Sequence, residues 1–143
     1  MRYYPVYLNL TERPTVVIGG GTIAEGKVLG LLEADARVNL IAPEISSRLR
    51  DLAANGKIHW EQRSYQPGDL AGTMLAISAT DDPQVNQRVW DEAHERGIPI
   101  NVVDDPPLCD FIAPAIVRRG DITLAISTNG KMPALAAYLR RQL

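Results

Sequence analysis

Cysteine is almost missing from this chain of 143 residues: Cys109 stands alone. A single thiol excludes an internal disulfide framework, and with it the small secreted scaffolds that depend on one. Histidine is nearly as scarce. His59 and His94 lie far apart, and no cysteine stands near either at a ligand spacing, so no resident metal is expected. No apolar run approaches the ~20 residues of a membrane span, and Met1-Arg2-Tyr3-Tyr4-Pro5 lacks the apolar centre of a secretion signal. Excess charge is absent too. A net charge of −2 gives no electrostatic case for nucleic acid. The expectation is a cytoplasmic protein that engages neither membrane nor nucleic acid. What remains, 45% hydrophobic and 22% charged residues, is ordinary for one globular domain with a real core.

One stretch organises the rest: Val16-Val17-Ile18-Gly19-Gly20-Gly21-Thr22-Ile23-Ala24. A short apolar run meets three glycines and opens into helical spacing at Ile23, Val28, Leu31 and Leu32. The pattern Gly-x-Gly-x-x-Ala is the dinucleotide-binding fingerprint in its alanine variant. Gly19 permits the sharp turn, having no Cβ to clash at positive φ. Gly21 lets the backbone approach a pyrophosphate, and Ala24 keeps helix and strand close. The free N–H groups of the helix start then receive phosphate charge. Gly26 and Gly30 weaken that helix and are expected to serve close packing on the sheet.

Around this stretch strands and helices alternate. Pro5 to Leu10 alternates in polarity and predicts a short edge strand. Val38 to Ala42 predicts strand two, Glu44 to Ala54 a helix, Lys57 to Trp60 strand three and Met74 to Ser78 a doubly covered strand four. Asp82 and Pro83 start a helix with Val85, Val89, Trp90 and Ala93 on its core face, and Gly97 stops it. Ile98 to Val103 is strand five. Such alternation argues for an α/β protein: a Rossmann-like parallel sheet with helices on both faces. After Asp104-Asp105-Pro106-Pro107 the pattern changes. Ala115 to Arg118 and Ile122 to Ser127 flank Arg119-Gly120-Asp121 as a β-hairpin, and Pro133 to Leu143 is a terminal helix. A two-stranded ribbon is marginal alone, so the hairpin is a candidate dimerisation segment. The domains are expected at 1–113, for the cofactor, and 114–143.

The residues resemble one family over nearly the whole chain: precorrin-2 dehydrogenase and sirohydrochlorin ferrochelatase, the N-terminal module of siroheme synthase. The likeness runs through Tyr4-Pro5-Val6-Tyr7-Leu8-Asn9-Leu10, Gly19 to Ala24 with Lys27, Ile41-Ala42-Pro43-Glu44, and Ala79-Thr80-Asp81-Asp82 with Asn86. It is sharpest in Asn101-Val102-Val103-Asp104-Asp105-Pro106, Cys109-Asp110-Phe111, Pro114-Ala115, Arg118-Arg119-Gly120-Asp121 and Ala125 to Lys131. Gly26, Asp35 and Met132 depart from the residues usual there (arginine, glycine and serine). The family also continues into a helical domain that this sequence lacks after Leu143. The resemblance implies NAD-dependent oxidation of precorrin-2 to sirohydrochlorin, ferrous iron insertion in some members, and a homodimer.

Site residues follow from both sources. Gly19, Gly21, Thr22 and Ile23 are expected to hold the pyrophosphate of NAD. Pro43 and Glu44 follow strand two, where Glu44 either accepts from the ribose 2′-hydroxyl, favouring NAD over NADP, or is a first-turn acid of the next helix. Ser78, Ala79 and Thr80 end strand four, and Val102 and Val103 end strand five. Ligands bind beyond such strand ends, so these five are expected on the nicotinamide side. Asp104 reads by itself as a turn residue; the resemblance makes it the general base. Thr128 and Asn129 either face the substrate or cap the last helix. Arg118, Arg119, Lys131, Arg140 and Arg141 either meet substrate carboxylates or form a solvated face. Cys109 reads as a small, buried side chain. Two rival readings stand beside it: an NAD-binding redox sensor that does no chemistry, which shares the fingerprint without requiring the Asp104 segment or the final hairpin, and a truncated domain that dimerises and lends its cofactor site to another chain.

Overall fold

The apolar runs of the sequence become a five-stranded sheet in the computed structural model, which describes residues 2–143. In chain order the elements are β1 (Pro14–Ile18), α1 (Thr22–Glu33), β2 (Arg37–Ile41), α2 (Ser47–Ala54), β3 (His59–Glu61), β4 (Leu75–Ser78), α3 (Pro83–Arg96) and β5 (Ile100–Val102). All pairings are parallel and the spatial order is β3-β2-β1-β4-β5. This is a Rossmann-like fold. The chain steps outward from β1 to β3, then returns to the other side of β1. That reversal leaves a crevice at the carboxyl ends of β1 and β4.

Consecutive burial explains the sheet's composition. Val16, Val17 and Ile18 are all hidden, so β1 is covered on both faces. One face packs Val16, Ile18, Ile41, Ala76, Ile100 and Val102 with Val89 and Ala93 of α3. The core face expected for α3 is the observed one, with Val85 and Trp90 partly buried against it. Asp82 caps α3 by accepting the Gln84 N–H at 2.9 Å, Pro83 occupies the first turn, and Gly97 ends it at φ 68°.

The connection from β3 to β4 has no helix; Asp69 ties it internally, accepting from Arg63 at 2.8 and 2.9 Å and from the Gln66 N–H at 2.7 Å, and Glu92 ties it to α3. Glu92 of α3 is 7% exposed. Its carboxylate accepts from the Tyr65 hydroxyl at 2.5 Å, from the Gly68 and Leu70 N–H groups at 2.9 and 3.0 Å, and from Arg96 Nε at 2.8 Å. Burial alone pushes this carboxyl up, but the four donors outweigh it and hold it below the usual range. Burial, followed by the Glu92 contact, pushes the Tyr65 phenol up. The Arg88 guanidinium lies over the Tyr65 ring, 5.4 Å from its centroid.

Four expectations need correction. Pro5 to Leu10 is not a strand: it has no ladder partner, and the chain instead turns at Leu10, whose carbonyl accepts the Arg13 N–H. Glu44 is not in a helix. Ser46 caps α2, its hydroxyl accepting the Leu49 N–H at 3.3 Å and donating to Glu25 at 2.8 Å, so the helix starts three residues later. The third strand is shorter and later than expected, His59 to Glu61. Gly26 and Gly30 do not pack on the sheet. Both are exposed, and a Cβ at either would meet nothing within 4 Å.

The chain forms two compact units, Tyr7–Asp110 and the segment ending at Val6 with Phe111–Leu143. The second unit contains the expected antiparallel hairpin, β6 (Ala115–Arg119) and β7 (Ile122–Ile126), with Arg119 opposite Ile122, followed by α4 (Pro133–Gln142). Gly120 makes the tight turn at φ 58°. Val117 and Ala136 are its buried apolar side chains.

Candidate functional site

The turn out of β1 shapes a cleft of about 450 Å³ lined by Gly19 to Ile23, Ala42, Pro43, Glu44, Ala79, Thr80 and Asp81. That volume lies within the range of small-molecule sites. Its three walls are the loops after β1, β2 and β4, brought together at the point where the strand order reverses.

The three glycines do three different things. Gly19 has φ +120°, and a Cβ there would collide with the Ala79 carbonyl oxygen. Its N–H donates to Ile41 at 3.0 Å, while the Ala79 N–H donates to Ile18 at 2.7 Å. Gly20 lies under the segment after β2: a Cβ there would collide with the Glu44 carbonyl, and its own carbonyl accepts the Ser46 N–H at 2.9 Å. Gly21 has nothing within 4 Å of the place a Cβ would occupy, and its φ is −89°. Neither packing nor backbone conformation demands glycine at that position, and the free space opens into the cleft.

Helix capping points the same way. Ser46 caps α2 and Asp82 caps α3, whereas no side chain caps α1. The first-turn N–H groups of α1, and the positive end of its dipole, are left for an anion. An open glycine beside an uncapped helix start fits a dinucleotide diphosphate. Ala24, fully buried, seats α1 against the sheet as the fingerprint requires.

Eight of the expected cofactor residues line this cleft: Gly19, Gly21, Thr22, Ile23, Pro43, Glu44, Ala79 and Thr80. Glu44 is exposed at its rim. Ser78, Val102 and Val103 do not line it. Ser78 is 1% exposed, and its hydroxyl donates to Asn86 Oδ1 at 2.7 Å. Val102 is fully buried in the core, and Val103 is half-buried, with its N–H bonded to the Ser78 carbonyl. Ser78 ends the inner strand β4 and Val102 ends the edge strand β5, and both side chains are buried.

Asp104 leaves the carboxyl end of β5, at the same end of the sheet as the cleft. It is exposed and has φ 63°, in a turn closed by the Asp105 N–H to the Val102 carbonyl at 3.1 Å. Aspartate tolerates this left-handed conformation better than most side chains. Cys109 is half-buried, its thiol donating to the Val102 carbonyl at 3.1 Å, and burial pushes it up. In the second unit, Thr128 lines a separate cavity of about 290 Å³, and its hydroxyl accepts the Met132 N–H at 2.9 Å just before α4. Asn129 is exposed at φ 58°. Arg118, Arg119, Lys131, Arg140 and Arg141 are exposed. Among the described residues, no three His, Cys, Asp or Glu side chains are grouped to hold a metal.

Three lining residues escape a reading of the sequence: Gly20, Ala42 and Asp81. Each adjoins a residue of the expected set, which was the available signal. The role of Gly20 needed the crossing of the β2–α2 connection, which no local pattern displays.

Comparison with known proteins agrees with this geometry. A family model described as putative NAD(P)-binding matches residues 6–115, and one described as sirohaem biosynthesis protein central matches residues 119–143. The chain is 42% identical to siroheme synthase 3 of Aeromonas hydrophila and 43% identical to the siroheme synthase of Azotobacter vinelandii, in each case over all 143 of its residues. It spans 31% of the length of each of these relatives. Among solved structures, SirC, precorrin-2 dehydrogenase, superposes with a TM-score of 0.84 at 29% identity, covering 98% of this chain and 69% of that one. The chain belongs to the NAD(P)-binding family of siroheme synthases and precorrin-2 dehydrogenases.

Proposed function

We propose that this chain carries out NAD-dependent oxidation of precorrin-2 to sirohydrochlorin. The observation that carries this reading is the likeness to SirC, precorrin-2 dehydrogenase, over 98% of the chain, joined to a diphosphate-ready cleft at the carboxyl end of the sheet. When bound, NAD supplies the hydride acceptor. The first-turn amides from Thr22 onward bind the diphosphate, with Gly21 allowing its approach. Glu44 accepts the 2′-hydroxyl of the adenosine ribose, a role that its place outside α2 favours, and its negative charge disfavours the extra phosphate of NADP. Asp104 takes the proton that leaves the tetrapyrrole, as an exposed carboxylate beyond β5 can. Thr128 and Asn129 contact the substrate. Two copies of the chain pair through the β6–β7 hairpin.

A second role is supported by the relatives' name, siroheme synthase: insertion of ferrous iron into sirohydrochlorin, with iron as substrate and the Asp104 carboxylate accepting pyrrole protons.

The test is purified protein supplied with NAD⁺ and precorrin-2, followed by absorbance of NADH and sirohydrochlorin. The expected result is turnover, reduced at least about a hundredfold in Asp104→Ala while NAD⁺ affinity is kept. NAD⁺ binding without turnover in the unaltered chain overturns the dehydrogenase in favour of a sensor. Adding Fe²⁺ to sirohydrochlorin tests the second role by the same optical readout.

A further inference from the structure

The Ala79–Asp81 wall of the cleft is tied at both ends. At one end the Ala79 N–H bonds to Ile18, and the missing Cβ of Gly19 makes room for the Ala79 carbonyl. At the other end stands Asn86, half-buried on the second turn of α3. Its Oδ1 accepts the hydroxyl of buried Ser78 at 2.7 Å, and its Nδ2 donates to the Thr80 carbonyl at 3.1 Å. The Thr80 hydroxyl in turn accepts the Asp82 N–H at 3.1 Å.

We propose that Asn86 is a positioning residue for cofactor binding: its side-chain amide bridges the end of β4 to the Thr80 carbonyl and fixes the wall against which the nucleotide rests. The bridge needs an amide. Ser78, out of water, must find an acceptor, and Oδ1 is that acceptor. With the oxygen end committed, the nitrogen end is turned to Thr80, which has only an acceptor to offer. A carboxylate of the same shape would satisfy Ser78 and repel the Thr80 carbonyl. A wall held before the ligand arrives need not be ordered by it, so affinity gains from the bridge. This rests on the reading of the cleft as the NAD site.

The experiment is equilibrium titration of the full chain with NAD⁺ by calorimetry, between pH 5 and 8, for the unaltered protein, Asn86→Asp and the exposed α3 control Gln87→Ala. Asn86→Asp is expected to raise the Kd about tenfold at pH 7.5. The defect is expected to shrink toward pH 5, as the introduced carboxyl takes up a proton and regains a donor for Thr80. Gln87→Ala is expected to stay within about twofold, as a surface change away from the cleft. Unaltered affinity in folded Asn86→Asp overturns the proposal, and so does a loss that does not recover at low pH. If Asn86→Asp does not fold, Asn86→Ala decides: tenfold weaker binding supports the bridge, and unchanged binding overturns it. An unaltered chain that binds neither NAD⁺ nor NADP⁺ overturns the cleft reading, and this proposal with it.

Discussion

The two units of this chain treat apolar surface in opposite ways. In Tyr7–Asp110 the strands β1, β4 and β5 of the parallel sheet are buried almost throughout, and Val17, Leu40 and Ile100 reach zero exposure. In the unit built on the hairpin, Ile122 is 62% exposed and Tyr138 50%, with Ile116, Leu124 and Leu135 exposed beside them. The reason is geometric. Crossover helices hide both faces of a parallel sheet within one chain, whereas one helix on a two-stranded ribbon cannot. The first region completes its own core; the second leaves an apolar face exposed. The cofactor cleft lies in the first; the proposed dimer contact lies in the second.

The largest expected effect falls on the self-sufficient unit. Glu92→Ala leaves the Gly68 and Leu70 N–H groups without their acceptor and the Tyr65 hydroxyl with only the Arg88 carbonyl at 3.4 Å, and should cost about 3 kcal/mol in urea unfolding. The same acid sets a pH limb. Its folded carboxyl lies below the usual range, so its stabilisation is complete above an unfolded value of roughly 4.3 and is lost as pH falls through the folded one. Glu92→Gln should flatten the acid limb of a stability–pH curve; an unchanged limb would assign it to other acids.

The hairpin unit should respond in assembly instead. Ile122→Asp with Leu124→Asp should weaken self-association about a hundredfold, read by sedimentation, because charge is placed on its exposed apolar face. NAD⁺ affinity should change less than about threefold, since all the cleft residues lie in Tyr7–Asp110. An unaltered chain that sediments as a monomer breaks the comparison.

Smaller effects separate the glycines. Gly20→Ala should cost about 2 kcal/mol, because the Glu44 carbonyl must move. Gly21→Ala should change stability by less than about 0.5 kcal/mol, yet weaken NAD⁺ binding in the same titration. Gly26→Ala and Gly30→Ala should each stabilise by about 1 kcal/mol in thermal unfolding, since both lie on an exposed helix face with open space around them.

Much of this was legible before any coordinates. Glycine spacing after an apolar run marked the turn, and Asp82-Pro83 with Gly97 marked both ends of α3, because caps and turns are local chemistry. The edge strand at Pro5 to Leu10 was misread because alternation shows which residues could face a core, not whether a partner strand exists. Gly26 and Gly30 were misread for a related reason: a glycine in a helix is compatible with close packing or with empty solvent, and only neighbours distinguish them. Ser78 and Val102 end β4 and β5, and both side chains are buried, which their place at a strand end does not reveal.

Sequence alone determined the order of elements, the place of the phosphate turn and the family likeness around Asp104, since each depends on residues close together along the chain. Tertiary structure decided which glycine is demanded by packing and which is left open, why Glu92 is buried, and how Asn86 bridges β4 to the cleft wall. Those depend on groups far apart in sequence, and their energies exist only once folding removes the water between them.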